Sequence, residues 1–124
     1  MRWPSDALNP RRPQMNNLIE SDKVIGTEVY GPDGAHIGEI ERLILEKVDG
    51  RVAHAVLSFG GFLGMGQDRY PLPWNKLTYN EDLGGFQVDI TREQLDGAPT
   101  YVEDDWSEEN NRRIYDHYGA QPYW

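Results

Sequence analysis

The nine residues from Ser58 to Gly66 constrain the fold of this chain more than any other stretch. They read Ser-Phe-Gly-Gly-Phe-Leu-Gly-Met-Gly, with glycines spaced among apolar side chains. A run rich in β-forming residues, Val52–Phe59, leads into the stretch, and a second run, Asp68–Pro73, leaves it. Glycine reaches positive φ without a steric clash and lets two backbones approach closely. This stretch, called the glycine loop below, therefore predicts a sharp corner between two strands of a small β domain.

The segment before the glycine loop is predicted to form a hairpin. Asp49-Gly50 between two β-rich runs is a strong hairpin signal, so Ala35–Val48 and Arg51–Phe59 are predicted as its strands. The apolar residues of the first strand do not alternate cleanly, and a bulge near Glu41-Arg42 would correct the alternation. Apolar positions 37, 40, 44 and 48 also fit a helix. We favour the strand because turns flank the segment and a strand-like partner follows it.

Shorter strands are predicted on both sides of this hairpin. Thr27–Tyr30 precedes a Gly-Pro-Asp-Gly turn, and prolines place Tyr70–Trp74 at an edge or bend of the sheet. Leu77–Tyr79 and the alternating residues 86–90 follow, and Thr91 is predicted to cap one helical turn. About five or six short strands separated by regular turns predict a mainly β barrel or sandwich.

The two ends of the chain differ in composition from this β-rich body. Residues 1–18 contain three prolines and few periodic apolar positions, so a flexible N-terminal arm is predicted. Near the other end, a short helix is predicted from about Trp106 to Tyr118, with Gly119 as its stop. The end segments carry large rings of the kind found at protein interfaces: Trp3, Trp106, Tyr115, Tyr118, Tyr123 and Trp124. The tail is predicted to pack either on its own barrel or on a second copy.

The order of these motifs resembles the PRC-barrel domain family. The resemblance rests on the Gly-Pro-Asp-Gly turn, Ile37-Gly38-Glu39-Ile40, the Asp49-Gly50 hairpin, the glycine loop and Leu72-Pro73-Trp74. This family occurs in the H subunit of the photosynthetic reaction centre, in a ribosome maturation factor and in stand-alone bacterial proteins. The resemblance implies a small, strongly bent antiparallel β-barrel at residues 19–101, between the arm (1–18) and a helical, aromatic extension (102–124). It also implies a docking module without catalytic residues, here as a stand-alone bacterial member.

Composition excludes some classes of function and disfavours others. The chain contains no cysteine, which rules out disulfides and thiolate chemistry. Its 12 basic and 21 acidic residues give a net charge of −9, which disfavours binding to a phosphate backbone. The first residues lack the apolar core of a secretory signal, and no apolar run approaches the roughly 20 residues that cross a bilayer. We therefore expect a cytoplasmic protein without membrane insertion or direct nucleic-acid binding.

Residues that could support catalysis or metal binding are scattered along the chain. His36, His54 and His117 fall on different predicted elements and share no ligand spacing. His54 lies in the predicted core strand, where we expect a buried, hydrogen-bonded imidazole. The glycine loop lacks the lysine and the following helix of a phosphate-binding loop. We therefore predict that the protein is not an enzyme and that it binds no metal ion and no cofactor.

The predicted function is a non-catalytic protein–protein interaction module that forms a homodimer. The glycine loop either contributes to docking or only closes the barrel. The predicted partner-binding residues are Phe62, Leu63, Met65, Trp74, Trp106, Tyr115, Tyr118 and Trp124. One alternative is a small-molecule-binding barrel or minor enzyme that uses His54 and nearby acids. A weaker alternative is a factor associated with the ribosome or with RNA processing.

Overall fold

The computed structural model describes residues 18–59, 68–95 and 97–124, and these residues form one bent sheet with short helices. The predicted N-terminal arm and most of the glycine loop lie outside them. The strands are β1 (Glu28–Tyr30), β2 (His36–Leu45), β3 (Val52–Phe59), β4 (Asp68–Pro73), β5 (Leu77–Asn80) and β6 (Gly85–Val88). The helices are α1 (Ser21–Val24), α2 (Arg92–Leu95) and α3 (Glu108–Tyr118), and a 3-10 turn spans Trp74–Lys76.

The long hairpin of β2 and β3 is the centre of the sheet and confirms the strand interpretation over the helical one for residues 37–45. The predicted end of this strand at Val48 is wrong, because β2 ends at Leu45 and residues 46–50 form the turn. The strands pair antiparallel from Gly38 opposite Phe59 to Leu45 opposite Val52. Their register shifts between Ile40 and Arg42, where the sequence predicted a bulge. The Gly50 N–H closes the connecting turn by donating to the Glu46 carbonyl at 2.8 Å. Gly50 has φ of +78°, which a residue with a side chain rarely adopts.

The strand order is β4-β3-β2-β1-β6-β5, in a mixed sheet that curves into a half-barrel. This confirms the mainly β fold of the predicted PRC type. One pairing differs from the antiparallel expectation: β1 runs parallel to β6, with Val29 opposite Phe86. After β4, at one end of the sheet, the chain passes to β5 at the other end. It then turns back into β6, which lies beside β1 and runs in the same direction. The proline-containing strand β4 lies at one end of the order, as predicted.

The concave side of the sheet encloses an apolar core to which both β2–β3 and the C-terminal helix contribute. Ile40, Leu57 and Leu72 are fully buried there. Two glycines allow strands to approach closely, because a Cβ on Gly38 would overlap the Ser58 carbonyl oxygen and one on Gly85 would overlap the Glu28 carbonyl oxygen.

Capping residues explain where the helices begin and end. The Thr91 hydroxyl accepts from the Gln94 N–H at 3.2 Å, while the Gln94 side chain accepts from the Thr91 N–H, which confirms the predicted cap. Ser107 caps α3, so this helix begins two residues later than predicted. Gly119 ends it in the left-handed conformation at φ +63°, as predicted. Glu20 occupies the cap position of α1, and its side chain makes no capping hydrogen bond.

Candidate functional site

The C-terminal segment, residues 102–124, packs on the sheet of its own chain. One face of α3, with residues spaced by three and four, points into the core. Ile114 is fully buried, and Tyr115 and Tyr118 are 1% and 3% exposed. The Tyr115 hydroxyl donates to the Ala53 carbonyl of β3 at 2.6 Å. Of the two predicted arrangements for the tail, the structure has the one within the same chain.

His54 of β3 lies at the centre of this contact. Its side chain is fully buried, and Nε2 is 3.0 Å from the Asn111 Oδ1 of α3. The ring centroids of Trp106, Tyr115 and Tyr123 lie 5.1, 5.4 and 6.2 Å from the imidazole centroid. Burial lowers the pKa of His54, and the hydrogen bond with Asn111 opposes part of that shift. The expectation of a buried, hydrogen-bonded histidine is confirmed.

The hydrogen bonds around Asn111 define the tautomer of His54. The Asn111 side-chain NH₂ donates to the Trp106 carbonyl at 3.2 Å, which directs Oδ1 toward the imidazole. Because Oδ1 only accepts, His54 Nε2 carries the proton in this assignment. His54 Nδ1 is then a bare acceptor, buried without a hydrogen-bond partner among the described residues.

Apolar side chains are exposed where the β2–β3 hairpin ends beside the chain terminus. Val48 is 92% exposed, Leu45 57% and Trp124 52%. The Tyr123 ring lies 6.2 Å from that of His54, which is paired with Ile44 next to the end of the hairpin. Burial raises the pKa of the half-buried Tyr123, as do the carboxylates of Glu46 and Asp49 in the turn, while Arg51 opposes the shift. The Trp124 ring lies 5.0 Å from that of Tyr123. We call Leu45, Val48, Tyr123 and Trp124 the hairpin-end surface.

The charges around the hairpin-end surface balance one another. Within the turn, Glu46 and Asp49 are matched by Lys47 and Arg51. Arg51 donates to the Asp49 carboxylate from its backbone N–H at 2.9 Å and from its guanidinium at 2.8 Å. These interactions hold the pKa of Asp49 below its ordinary value, the backbone hydrogen bond most of all. On the outside of the C-terminal segment, by contrast, residues 103–109 carry five carboxylates and no basic side chain.

The structure separates the predicted partner-binding residues into three groups. Phe62, Leu63 and Met65 lie outside the described residues. Half-buried Trp74 and Trp106 pack against the core, and Tyr115 and Tyr118 lie inside it. Trp124 alone among the described members of the predicted set is more than half exposed.

Sequence reasoning missed two residues of the hairpin-end surface, Leu45 and Val48. One signal was available for Val48. It is an aliphatic residue inside the tight turn at 46–50, and a turn of this kind usually lies at the surface. Leu45 carried no comparable signal, because it ends a strand whose other apolar residues are partly or fully buried.

The other histidines make separate, local contacts. His36 of β2 pairs with Glu28 of β1, and His117 Nε2 lies 2.7 Å from the Gln94 carbonyl oxygen. Within residues 18–59, 68–95 and 97–124, no group of three or more His, Asp or Glu side chains could hold a metal ion. The helices of the same ranges include none that is long and apolar enough to cross a bilayer.

Comparison with known families shows that the model of the PRC-barrel domain matches residues 16–95. This range includes every strand and α2, and it ends before the C-terminal segment. A search among curated proteins finds no match.

Proposed function

The chain belongs to the PRC-barrel domain family, and we propose that it is a non-catalytic protein-docking module that pairs with a second copy through the hairpin-end surface. The exposure of Val48, 92%, carries this proposal. Val48, Leu45 and Trp124 together present aliphatic and aromatic area that the chain leaves open to water. Exposed aliphatic and aromatic side chains of this kind are typical of protein-binding surfaces.

The charge distribution favours a second copy as the occupant. The whole chain carries a net charge of −9, so two copies repel each other over most approaches. The hairpin turn is locally neutral, and the Arg112 guanidinium, 5.9 Å from the centre of the Trp124 ring, is neutralised by its ion pair with Glu108 at 2.7 Å. Two copies related by a two-fold axis would place this same surface opposite itself. Repulsion is therefore smallest where the apolar side chains are exposed.

The surroundings of His54 give less support to a catalytic or ligand-binding role. A general acid or base has to reach its substrate, whereas His54 is fully buried beneath Trp106, Tyr115 and Tyr123. Its side chain is hydrogen-bonded to the amide of Asn111 rather than to a carboxylate. These contacts support a structural histidine. The acidic surface likewise favours a protein partner over RNA.

Light scattering over a concentration series tests the dimer. We expect the wild-type mass to rise from one chain toward two between about 1 µM and about 1 mM, the range of weak, specific association. Val48→Asp should remain a single chain throughout, because two buried carboxylates would then face each other. Val48 is exposed enough for this variant to fold normally.

Ile25→Asp is the matched control. Ile25 is an aliphatic residue that is 42% exposed and follows α1, outside the hairpin-end surface. This variant adds the same charge and should associate like the wild type. A wild-type protein that stays a single chain at all concentrations would refute the proposal, and so would a Val48→Asp variant that still dimerises.

The glycine loop is a second proposed docking site, which can be tested separately from the hairpin-end surface. Phe62, Leu63 and Met65 were predicted to contact a partner, and we retain them as docking residues. A triple alanine variant should keep its circular dichroism spectrum and weaken association in the same light-scattering series. Unchanged association would restrict docking to the hairpin-end surface.

A further inference from the structure

His54 lies where the barrel meets the C-terminal segment. Its strand neighbours in the sheet are Ile44 of β2 and Pro73 of β4, neither of which can ionise. Its side-chain hydrogen bond and its ring contacts are with the C-terminal segment: Asn111 of α3, Trp106 before the helix, Tyr115 within it and Tyr123 after it. The segment therefore encloses the imidazole, and its departure would expose His54 to water.

The enclosed site suits only the neutral imidazole. With Nε2–H donating to Asn111, a second proton would have to sit on Nδ1, which has no described hydrogen-bond partner. A buried, unpaired N–H on a charged ring is costly because none of the described residues offers it an acceptor.

No opposite charge among the described residues contacts this ring. The titratable groups that face it are the phenols of Tyr115 and Tyr123, which are neutral in acid, and burial raises the pKa of both still further above that range. The nearby charged groups, Glu46, Asp49 and Arg51, act on Tyr123. Burial is the dominant cause of the lowered His54 pKa.

We propose that His54 makes the docking of the C-terminal segment pH-dependent, so that mild acid weakens the docking of this segment on the sheet. Released His54 regains water and binds a proton at its ordinary pKa of 6.5, whereas docked His54 binds one only at lower pH. Docking is therefore unaffected by this group above pH 6.5. As the pH falls from that value toward the pKa of docked His54, the ratio of released to docked protein rises by up to about tenfold per pH unit.

The family match supports release of the segment rather than unfolding of the whole chain. The PRC-barrel match ends at residue 95 and does not include the C-terminal segment. The β2–β3 hairpin is held by its own ladder of pairs from Gly38–Phe59 to Leu45–Val52. Because Tyr123 and Trp124 belong to the segment, its release would also remove half of the hairpin-end surface.

Amide hydrogen exchange followed by NMR on the full chain tests this proposal. Protection factors, which correct for the intrinsic pH dependence of exchange, would be measured between about pH 7.5 and about pH 5. Protection of α3 amides such as Tyr115 should be constant above pH 6.5 and then fall by up to about tenfold per unit. Protection at Leu57 in β3 should change less. Constant protection of α3, or an equal fall at Leu57, would overturn the proposal.

Substitutions at His54 and His117 test which histidine causes the pH dependence. His54→Phe keeps a planar ring among Trp106 and Tyr115 and should abolish the fall in α3 protection below pH 6.5. His117→Gln, on the exposed side of α3, should retain the fall. A fall that persists in His54→Phe contradicts the proposal.

The NMR titration of His54 in the wild type gives a test that does not require the Phe variant to fold. Just below pH 6.5, the chemical shift of the Cε1 proton of docked His54 should still be that of a neutral ring. The exposed His117 gives an internal comparison in the same spectra. Titration of docked His54 at or above pH 6.5 would overturn the proposal.

Discussion

Gly38 in β2 shows how one missing side chain sets the distance between two strands. A Cβ at this position would overlap the Ser58 carbonyl oxygen and press on the Phe59 ring. Because the obstacle is backbone, neither strand can yield cheaply. We expect Gly38→Ala to lower the free energy of unfolding by about 1–3 kcal/mol, the range of overpacked sites, measured by urea denaturation.

Gly31→Ala is the control for this substitution. A Cβ on Gly31 would meet its nearest neighbours at 3.6 Å or more, which is ordinary contact. The free energy of unfolding of Gly31→Ala should stay within about 0.5 kcal/mol of that of the wild type. Equal losses at Gly31 and Gly38 would show that close approach of the strands is not the cause.

The buried hydroxyl of Tyr115 is one of the groups that join the C-terminal helix to the barrel. Its hydrogen bond to the Ala53 carbonyl is 2.6 Å long. Tyr115→Phe keeps the packing and leaves that carbonyl without this donor. We expect a loss of about 1 kcal/mol in the free energy of unfolding. Tyr79→Phe, at a ring that is 46% exposed, should cost much less; similar losses for both would contradict the role given to Tyr115.

At the scale of elements, the cap of α3 determines where the C-terminal segment turns onto the sheet. The Ser107 hydroxyl accepts from the Asn110 N–H at 3.2 Å. Ser107→Ala removes this acceptor and should destabilise the protein by about 1 kcal/mol in thermal or urea unfolding. Ser107→Thr supplies another hydroxyl and should recover most of that loss. An alanine variant as stable as the wild type would show that the cap contributes little.

Local signals in the sequence were sufficient for most individual elements. Asp49-Gly50 identified the central hairpin, and the broken alternation at Glu41-Arg42 identified its bulge. Glycine and hydroxyl residues identified the end of α3 and the cap of α2. Each of these depends on residues within a few positions of one another, which is the range over which sequence patterns are informative.

Pairings between distant elements could not be predicted in the same way. The parallel contact of Val29 with Phe86 depends on the path of the whole chain, and no local pattern encodes it. The rings of Tyr115 and Tyr118 could equally have met a second copy, because an apolar helix face does not identify its partner. The exposed Leu45 likewise follows from the place where the sheet ends.

At the scale of the whole molecule, the C-terminal segment has two roles in our account. Its inner face completes the core with Ile114 and Tyr118, and its last residues extend the hairpin-end surface with Trp124. Stability and association are therefore linked through one segment. Trp124 is partly exposed and Arg112 lies near its ring, so it is available to a second copy without leaving its own chain.

The most direct test of the docking surface is an isotope-filtered NMR experiment on a mixture of labelled and unlabelled chains. Such a spectrum records only contacts between different copies. Our account predicts contacts from the methyl groups of Val48 and Leu45 to the ring protons of Trp124 in the other copy. Contacts centred instead on Thr78 and Tyr79 of β5, or no contacts between copies at any concentration, would contradict it.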